Sequence, residues 1–218
     1  MSAKRPPVAT LSVMPRGTGQ ADTDSADVRT RLTRTALRLF AEQGYAATTV
    51  DHLADAAGVN RRTFFRYFSS KEDVVFPDHE PVLARIRWYL DSTLGMDPLA
   101  ALAEATRLIF ESAVADPDHA MAIFGLTRDV PALRDREIVA ATRYERLLSS
   151  YLRTRLSTVE DAALWSHVIA AALMAAHNQV LREWLRSDGQ MDARPRLRAV
   201  LAQVVETMRP MIPNENGT

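Results

Sequence analysis

Apolar residues recur along this chain every three or four positions, in blocks separated by glycine, proline and short polar runs. That spacing is the period of an amphipathic α-helix, and no block alternates in the way of a half-buried β-strand. The first block begins near Asp27 and ends at Gly44. Its apolar stripe consists of Val28, Leu32, Ala36, Leu39 and Phe40. The pattern predicts an all-α chain whose first helix covers this block.

The next two blocks are short and are separated by a tight turn. Thr49 stands where an N-cap belongs, and Gly58 follows the last apolar residue of the first short helix. Glycine takes the left-handed conformation that ends a helix at low cost. Asn60 is the next candidate N-cap and opens a helix that reaches Phe68. Two short helices joined in this way form a helix-turn-helix pattern.

The connection to the rest of the chain contains two prolines. Ser70 and Asp73 form a weak capping box for a helix that starts at Lys71, but Pro77 and Pro81 interrupt it. We expect a kink or break between Phe76 and Glu80. The break is either a hinge used in switching or a static kink, and the residues favour neither.

Beyond the break the sequence predicts further helices, several of them opened or ended by proline. Their expected ranges are 81 to 93, 98 to 115, 119 to 128, 131 to 156, 159 to 186 and 195 to 210. The helix that ends near Arg186 is apolar on nearly all sides from Ala162 to Ala176. Such a helix is buried in a domain centre or covered in part by a second subunit.

The second short helix carries the candidate chemistry. Phe64 and Phe68 are four residues apart and share a face that can be buried, so that neighbouring arginines project elsewhere. An arginine near the start of such a helix can donate two hydrogen bonds to guanine O6 and N7 in the major groove. The alternative is a solvated basic face on an ordinary helical bundle.

The stretch LFAEQGYAATTVDHLADAAGVNRRTFFRYFSSKEDVV resembles the DNA-binding domain of TetR-type bacterial transcriptional regulators. The resemblance implies an N-terminal three-helix helix-turn-helix domain, followed by a helical ligand-binding and dimerisation domain. The family often has tyrosine where this chain has Phe65, so a hydroxyl contact there is lost. Arg29 or Arg31 is expected either to approach the DNA backbone or to be solvated. The candidate DNA-binding residues are Thr49, Asn60, Arg61, Arg62, Thr63, Phe65, Arg66, Tyr67 and Lys71. By residue type, Arg62 and Arg66 are expected to read bases, and Thr49, Tyr67 and Lys71 to contact phosphates.

The domain boundaries are expected near residues 25, 76 and 212. Residues 25–75 form the DNA-binding domain, and residues 76–212 form the ligand-binding and dimerisation domain. Residues 1–24 and 213–218 are expected to be disordered, because they are rich in proline, glycine and polar residues. Lys4, Arg5 and Arg16 leave open a basic arm that touches DNA.

The C-terminal half is expected to bind a small molecule and a second copy of the chain. The opening Pro131–Arg134 and Trp184 are similar to a TetR subgroup whose ligand domain takes acyl-CoA-like molecules. Large or polar residues inside apolar helices are the ligand candidates, with ordinary core packing as the alternative. They are Trp88, Phe110, Met121, Phe124, Trp165, His177 and Asn178. The family's dimeric four-helix bundle, together with the apolar pattern, assigns to the interface Val168, Ala172, Leu201, Val204, Val205 and Met208.

Composition and motifs exclude several other classes of protein function. The formal net charge is zero, so DNA binding has to rest on a local basic surface. The chain has no cysteine, which excludes thiolate chemistry, and it has no motif of a hydrolase, a zinc protease or a nucleotide-binding loop. We therefore expect a cytoplasmic, nucleoid-associated regulator without cofactor, metal or enzymatic activity, most simply a dimeric repressor. The alternative is an all-helical carrier of hydrophobic ligands that does not bind operator DNA.

Overall fold

The structure is a computed structural model that describes residues 19–76, 79–157 and 160–212, with side chains from Asp27 onward. The described residues form helices throughout and contain no strand. The α-helices are α1 Gly19–Gln43, α2 Val50–Ala56, α3 Arg61–Tyr67, α4 His79–Asp91, α5 Pro98–Ala113, α6 Pro117–Asp129, α7 Pro131–Arg155, α8 Ala162–Arg186 and α9 Ala193–Met208. We call residues 19–76 the N-terminal module and residues 79–212 the C-terminal module.

Helix α1 begins earlier than the apolar stripe predicts. It starts at Gly19 rather than near Asp27, so the expectation of disorder up to residue 24 is wrong from Gly19 onward. Residues 20–26 contain no proline or glycine, the two residues that most disfavour a helix interior. The rest of the proposed arm, with Lys4, Arg5 and Arg16, lies outside the described residues, as does the proposed tail.

The caps of the two short helices are confirmed. Thr49 Oγ1 accepts from the backbone N–H of His52 at 3.2 Å, and Asn60 Oδ1 accepts from that of Thr63 at 2.7 Å. Between them Gly58 has a φ of 68°, a conformation that a residue with a side chain rarely adopts. These local interactions fix where α3 starts and how it leaves the turn.

The break predicted between Phe76 and Glu80 is confirmed at Phe76, whose backbone is extended, whereas Pro77 lies outside the described residues. A 3₁₀ turn, Glu72–Val75, takes the place of the first turns of the expected α-helix. The backbone N–H of Asp73 donates to Ser70 Oγ at 3.3 Å, as the capping box predicts. Helix α4 starts at His79, two residues before the predicted restart at Pro81. Proline is tolerated there, because the first N–H groups of a helix have no intrahelical acceptor.

The N-terminal module has its own core, and one residue of the C-terminal module completes it. The apolar stripe of α1 packs against α2, α3 and the 3₁₀ turn, and Phe64 and Phe68 are buried among them. Leu133, in the first turn of α7, is fully buried in the same cluster, and Leu126 and Val130 pack beside it. The corner between α6 and α7 is therefore part of the core beneath the short helices.

The C-terminal module is built around α5 and α8. Helix α8 packs against α5, α7 and α9 and buries one long side, including Ile169, Leu173 and Val180. It is not buried on every side within one chain, because Leu164 is 56% exposed. No helix within the described residues has the length and apolarity needed to cross a lipid bilayer.

Candidate nucleic-acid interface

The exposed side of α3 forms one continuous open surface. The opposite side of α3 fixes the position of the helix, because Phe64 and Phe68 are buried there. Phe64 packs edge-on against Phe65, with ring centroids 5.4 Å apart. Phe65 itself is 44% exposed. A shallow depression on this side is lined by six of the predicted DNA-binding residues, Asn60, Arg61, Arg62, Thr63, Phe65 and Arg66.

The three arginines of α3 differ in their contacts. Arg61 Nη1 donates to both carboxylate oxygens of Asp51, at 2.9 and 3.0 Å. Arg62 is exposed and makes no ion pair or hydrogen bond with the described residues. Arg66 Nη2 donates to Tyr67 Oη at 3.2 Å, and its guanidinium lies over the same ring. Arg62 therefore has all its donors available for a nucleic acid.

Thr49 and Asn60 serve as caps but retain donors. Each cap uses an oxygen as acceptor, at Oγ1 in Thr49 and Oδ1 in Asn60. A threonine hydroxyl still has its hydrogen to donate, and an asparagine amide still has two. Both side chains are compatible with a contact to a phosphate oxygen.

Lys71 differs from the prediction, because its ammonium is tied to the protein. Nζ donates to the carbonyls of Tyr45 and Thr48 at 2.8 and 3.0 Å, and it lies 3.9 Å from the centre of the Tyr45 ring. Partial burial lowers the pKa of this ammonium, while the Glu72 carboxylate acts to raise it. Lys71 thus holds the loop that leads into α2, and only one of its three N–H donors remains for a phosphate.

Tyr67 and Arg29 connect α3 to α1. Arg29 Nη1 donates to the carbonyl of Tyr67 at 3.1 Å, and its guanidinium lies 4.7 Å from the centre of the Phe68 ring. Arg31, the other candidate on α1, donates to the carbonyl of Ala57 at 3.0 Å. Both arginines hold α1 against the helix-turn-helix, which the sequence pattern did not predict.

The prediction that Trp88 contributes to a ligand-binding site is wrong. Its side chain is 73% exposed, whereas Leu83, Ile86 and Leu90 of the same helix are buried. Trp88 lies two positions from Ile86 and from Leu90, which places it on the opposite side of α4. It cannot line an enclosed pocket in this arrangement.

His177 and Phe110 do come together inside the C-terminal module. Their rings meet edge to face with centroids 5.7 Å apart, and both side chains are buried. Burial lowers the pKa of His177 to about 4, although the Asn178 side chain acts to raise it. The 3.0 Å contact to Asn178 Oδ1 makes His177 Nδ1 a donor, and Nε2 is then a buried acceptor without a hydrogen-bond partner among the described residues.

The remaining ligand candidates are half-buried around the same core. Met121 and Phe124 of α6 and Trp165 of α8 pack against the central cluster. Met121 and Trp184 both lie beside Gly189, where a Cβ would be 3.3 Å from the Trp184 ring and 3.4 Å from the Met121 methyl group. These residues surround the core of the module, but no described contact joins them all into one site.

The predicted dimer residues divide into two groups. Leu201 and Val205 are only 3% and 7% exposed and face the core of their own chain. Assigning their side chains to an interface is therefore wrong, because the stripe of α9 is the side that packs on α5 and α8. The other members are half-buried and can still meet a second chain: Val168, Ala172, Val204 and Met208.

Two features of the site were not predicted from the sequence. Asp51 in the first turn of α2 reads as a helix-start carboxylate, and only the fold shows that it reaches Arg61. The second feature is a cleft of about 310 Å³ between the modules, lined by residues that include Arg29, Asp73 and Arg136. Arg136 forms an ion pair with Asp73 across this cleft, and Arg143 forms one with Glu80.

Known proteins share both the motif and the fold. Residues 32–76 match the family model described as "Bacterial regulatory proteins, tetR family". The HTH-type transcriptional regulator TcmR of Streptomyces glaucescens is 30% identical over 207 residues, which cover 90% of this chain and 89% of TcmR.

Solved structures extend the likeness to the whole fold. FadR of Thermus thermophilus, a TetR-family repressor solved in complex with lauroyl-CoA, has a TM-score of 0.54 at 22% identity, with 87% of this chain and 97% of FadR covered. FadR of Bacillus halodurans, a fatty acid degradation regulator, has a TM-score of 0.55 at 21% identity, with 84% and 96% covered. The motif, the architecture and the full-length similarity lead to one conclusion: this chain belongs to the TetR family of bacterial transcriptional regulators.

Proposed function

We propose that the protein is a repressor that binds an inverted-repeat operator as a dimer, with α3 of each subunit in the major groove. The observation that carries this proposal is the open surface of α3. It presents Arg61, Arg62 and Arg66 to solvent while Phe64 and Phe68 fix the helix from beneath. A guanidinium on a rigid helix is suited to donating to guanine.

The caps support this orientation. Asn60 and Thr49 lie beside the starts of α3 and α2, and the first N–H groups of a helix favour an anion nearby. The remaining donors of both side chains would meet phosphates on either side of the groove. Such contacts position a protein on DNA without reading its sequence.

The dimer is proposed to form through α8 and α9. In one chain α8 leaves Leu164 exposed and Val168 and Ala172 half-buried, and α9 leaves Val204 half-buried. A second subunit on this surface would cover the apolar side that one chain leaves in water. Two-fold symmetry would then place two α3 helices on DNA and require a palindromic site.

The effector is proposed to be a small hydrophobic or acyl-type molecule that carries an N–H or O–H donor. His177 is neutral at physiological pH, and its buried Nε2 is an acceptor that no described residue satisfies. FadR of Thermus thermophilus binds lauroyl-CoA on a similar fold. Binding would shift the population of dimers toward one whose α3 helices no longer match the operator spacing.

The effector proposal is tested with lauroyl-CoA, monitored by intrinsic tryptophan fluorescence, to which Trp165 and Trp184 of the C-terminal core contribute. We expect saturable binding that His177→Leu weakens, because leucine cannot accept the ligand's hydrogen. His167→Leu is the matched control, since His167 is exposed on the same helix. Equal affinities for all three proteins, or no binding by the wild type, would remove this molecule and this residue from the proposal.

The DNA proposal is tested by selection from a library of randomised duplexes at physiological salt. We expect the wild type to enrich an inverted repeat whose half-sites lie about one helical turn, or a multiple of it, apart. A hydrophobic-ligand carrier without operator binding would enrich no sequence. A single, asymmetric half-site would contradict the dimeric mode.

A further inference from the structure

Arg61 differs from the other arginines of α3 because a residue outside that helix holds its side chain. Asp51, in the first turn of α2, accepts two hydrogen bonds from Arg61 Nη1. Arg61 is the first residue of α3, directly after the Asn60 cap. In helix-turn-helix proteins, the side chains at the start of the second helix are those that contact base edges.

The ion pair uses only one nitrogen of the guanidinium. Within the described residues, both hydrogen bonds to Asp51 leave from Nη1, and none leaves from Nε or Nη2. The edge formed by Nε and Nη2 therefore still has two parallel donors. Such a pair matches the O6 and N7 acceptors of guanine.

An aromatic ring supports the same orientation. The Arg61 guanidinium lies 5.2 Å from the centre of the Phe65 ring, one turn further along α3. Phe65 in turn packs edge-on against the buried Phe64. Arg61 is thus held between a carboxylate on α2 and a ring anchored to the core of the N-terminal module.

This contact contributes little to the stability of the fold. The Arg61 and Asp51 side chains are 59% and 60% exposed, and ion pairs this exposed to water are weak. An interaction of that size still shifts the side-chain population by about two- to fivefold toward the paired conformation. A shift of this kind matters most to a side chain that has to meet a base in a single geometry.

We propose that Asp51 is a positioning residue that orients Arg61 to read one guanine in each half-site. The inference rests on the proposed function, in which α3 enters the major groove. Arg62, which has no such partner within the described residues, then serves as an adaptable contact. Asp51 acts through Arg61, because a carboxylate facing DNA in this docking would repel phosphates and would not itself strengthen binding.

Asp51 could affect DNA binding in two ways, by orienting Arg61 or by repelling phosphates through its negative charge. The two explanations predict different outcomes for Asp51→Asn. Loss of negative charge alone would raise the affinity for all duplexes and leave the selected sequence unchanged. Loss of positioning would reduce the preference for one G·C pair in each half-site by about two- to fivefold, while binding to random duplex stays equal or increases. Asp55→Asn is the matched control, since it removes an exposed carboxylate from the same helix without touching Arg61.

The experiment is selection from the randomised duplex library with the full-length wild type, Asp51→Asn, Asp55→Asn, Arg61→Lys and the double variant Asp51→Asn/Arg61→Lys. Lysine keeps the charge but lacks the planar fork, so Arg61→Lys should lose the same G·C preference by about five- to hundredfold. In that background Asp51→Asn should change the preference no further, because the two residues act as a unit.

Each outcome separates the inference from the function on which it rests. A wild type that enriches no sequence would refute the proposed DNA reading itself. A wild type that enriches a motif, with Asp51→Asn enriching the same motif at equal preference, would refute only the role of Asp51. Additive losses in the double variant would also refute it, since they would show that Asp51 acts independently of Arg61.

Discussion

At the scale of the residue, hydrogen-bonding capacity decides what the polar side chains around α3 can do on DNA. Thr49 and Asn60 use their acceptors for caps and keep their donors. Lys71 has no acceptor, and two of its three donors are already bound to carbonyls. The first two are therefore compatible with phosphate contacts, whereas Lys71 mainly stabilises the loop before α2.

Lys71→Ala should consequently lower the free energy of unfolding, by about 1–3 kcal/mol, because it leaves the carbonyls of Tyr45 and Thr48 without their charged donor. Arg62→Ala should change stability by less than about 0.5 kcal/mol, since Arg62 is exposed and makes no such bonds with the described residues. Urea denaturation of the wild type and both variants measures these free energies of unfolding. Equal stability of Lys71→Ala and wild type would show that the ammonium does not hold the loop.

His177 should make stability depend on pH. Its pKa is about 4 in the folded chain and about 6.5 when unfolded, so between these values the unfolded state binds more protons. The contribution of His177 to stability is complete above pH 6.5 and is lost as the pH falls towards 4.

From pH 7 to pH 5 the loss due to His177 is about 2 kcal/mol. His177→Gln should remove that part of the pH dependence. The pKa of His119 is also lowered by burial, partly offset by Asp116 and by the Val75 carbonyl, but it contributes to both proteins and cancels in the comparison. Parallel curves of unfolding free energy against pH for the two proteins would contradict the buried neutral state of His177.

At the scale of the element, local chemistry was predictable and tertiary packing was not. The caps at Thr49 and Asn60, the turn at Gly58 and the buried pair on α3 follow from neighbours within four residues, so the sequence predicted them. Trp88 and Leu201 were misplaced because the side of a helix that faces the core depends on partners distant in sequence. The contact of Asp51 with Arg61 was missed for the same reason.

The corner between α6 and α7 shows how the two modules are joined. Leu133 is buried in the core of the N-terminal module, and Arg136, one turn later, pairs with Asp73 of that module. Helix α6 enters this corner with Leu126 and also carries Met121, which packs on the C-terminal core. A displacement of α6 would therefore change the packing of the core beneath α1 and the 3₁₀ turn.

Leu133→Ala should destabilise the protein by about 2–5 kcal/mol, because it leaves a cavity at a fully buried site. Hydrogen exchange should increase mainly in α1 and the 3₁₀ turn, whose side chains belong to the same buried cluster as Leu133. Ile138→Ala, on the same helix but 60% exposed, is the matched control and should leave exchange there unchanged. An increase confined to the C-terminal module would show that Leu133 does not support the N-terminal core.

At the scale of the whole molecule, the single chain leaves one apolar side incompletely covered. Val168, Ala172 and Val204 are half-buried along α8 and α9, and Leu164 is exposed beside them. The zero net charge means that the whole chain does not attract DNA as a polycation. Binding then depends on two correctly spaced α3 surfaces, which makes the dimer essential to the proposed function.

Val204→Glu should convert the dimer to a monomer at micromolar concentration, because it places an unpaired charge in an apolar interface. Ala84→Glu is the control, since Ala84 is exposed on α4 and away from the proposed interface. Sedimentation velocity measures the oligomeric state of the wild type and of both variants. A wild type that sediments as a monomer, or a Val204→Glu variant that stays dimeric, would contradict the proposed interface.

The central claim is that α3 reads a specific DNA sequence, and the most direct measurement is a pair of titrations at about 0.15 M salt. One uses the selected inverted-repeat duplex and the other a scrambled duplex of equal length and composition, both followed by fluorescence anisotropy. Specific DNA-binding proteins prefer their sites by about a thousandfold or more, and we predict a ratio of dissociation constants in that range. Equal dissociation constants for the two duplexes would contradict the account.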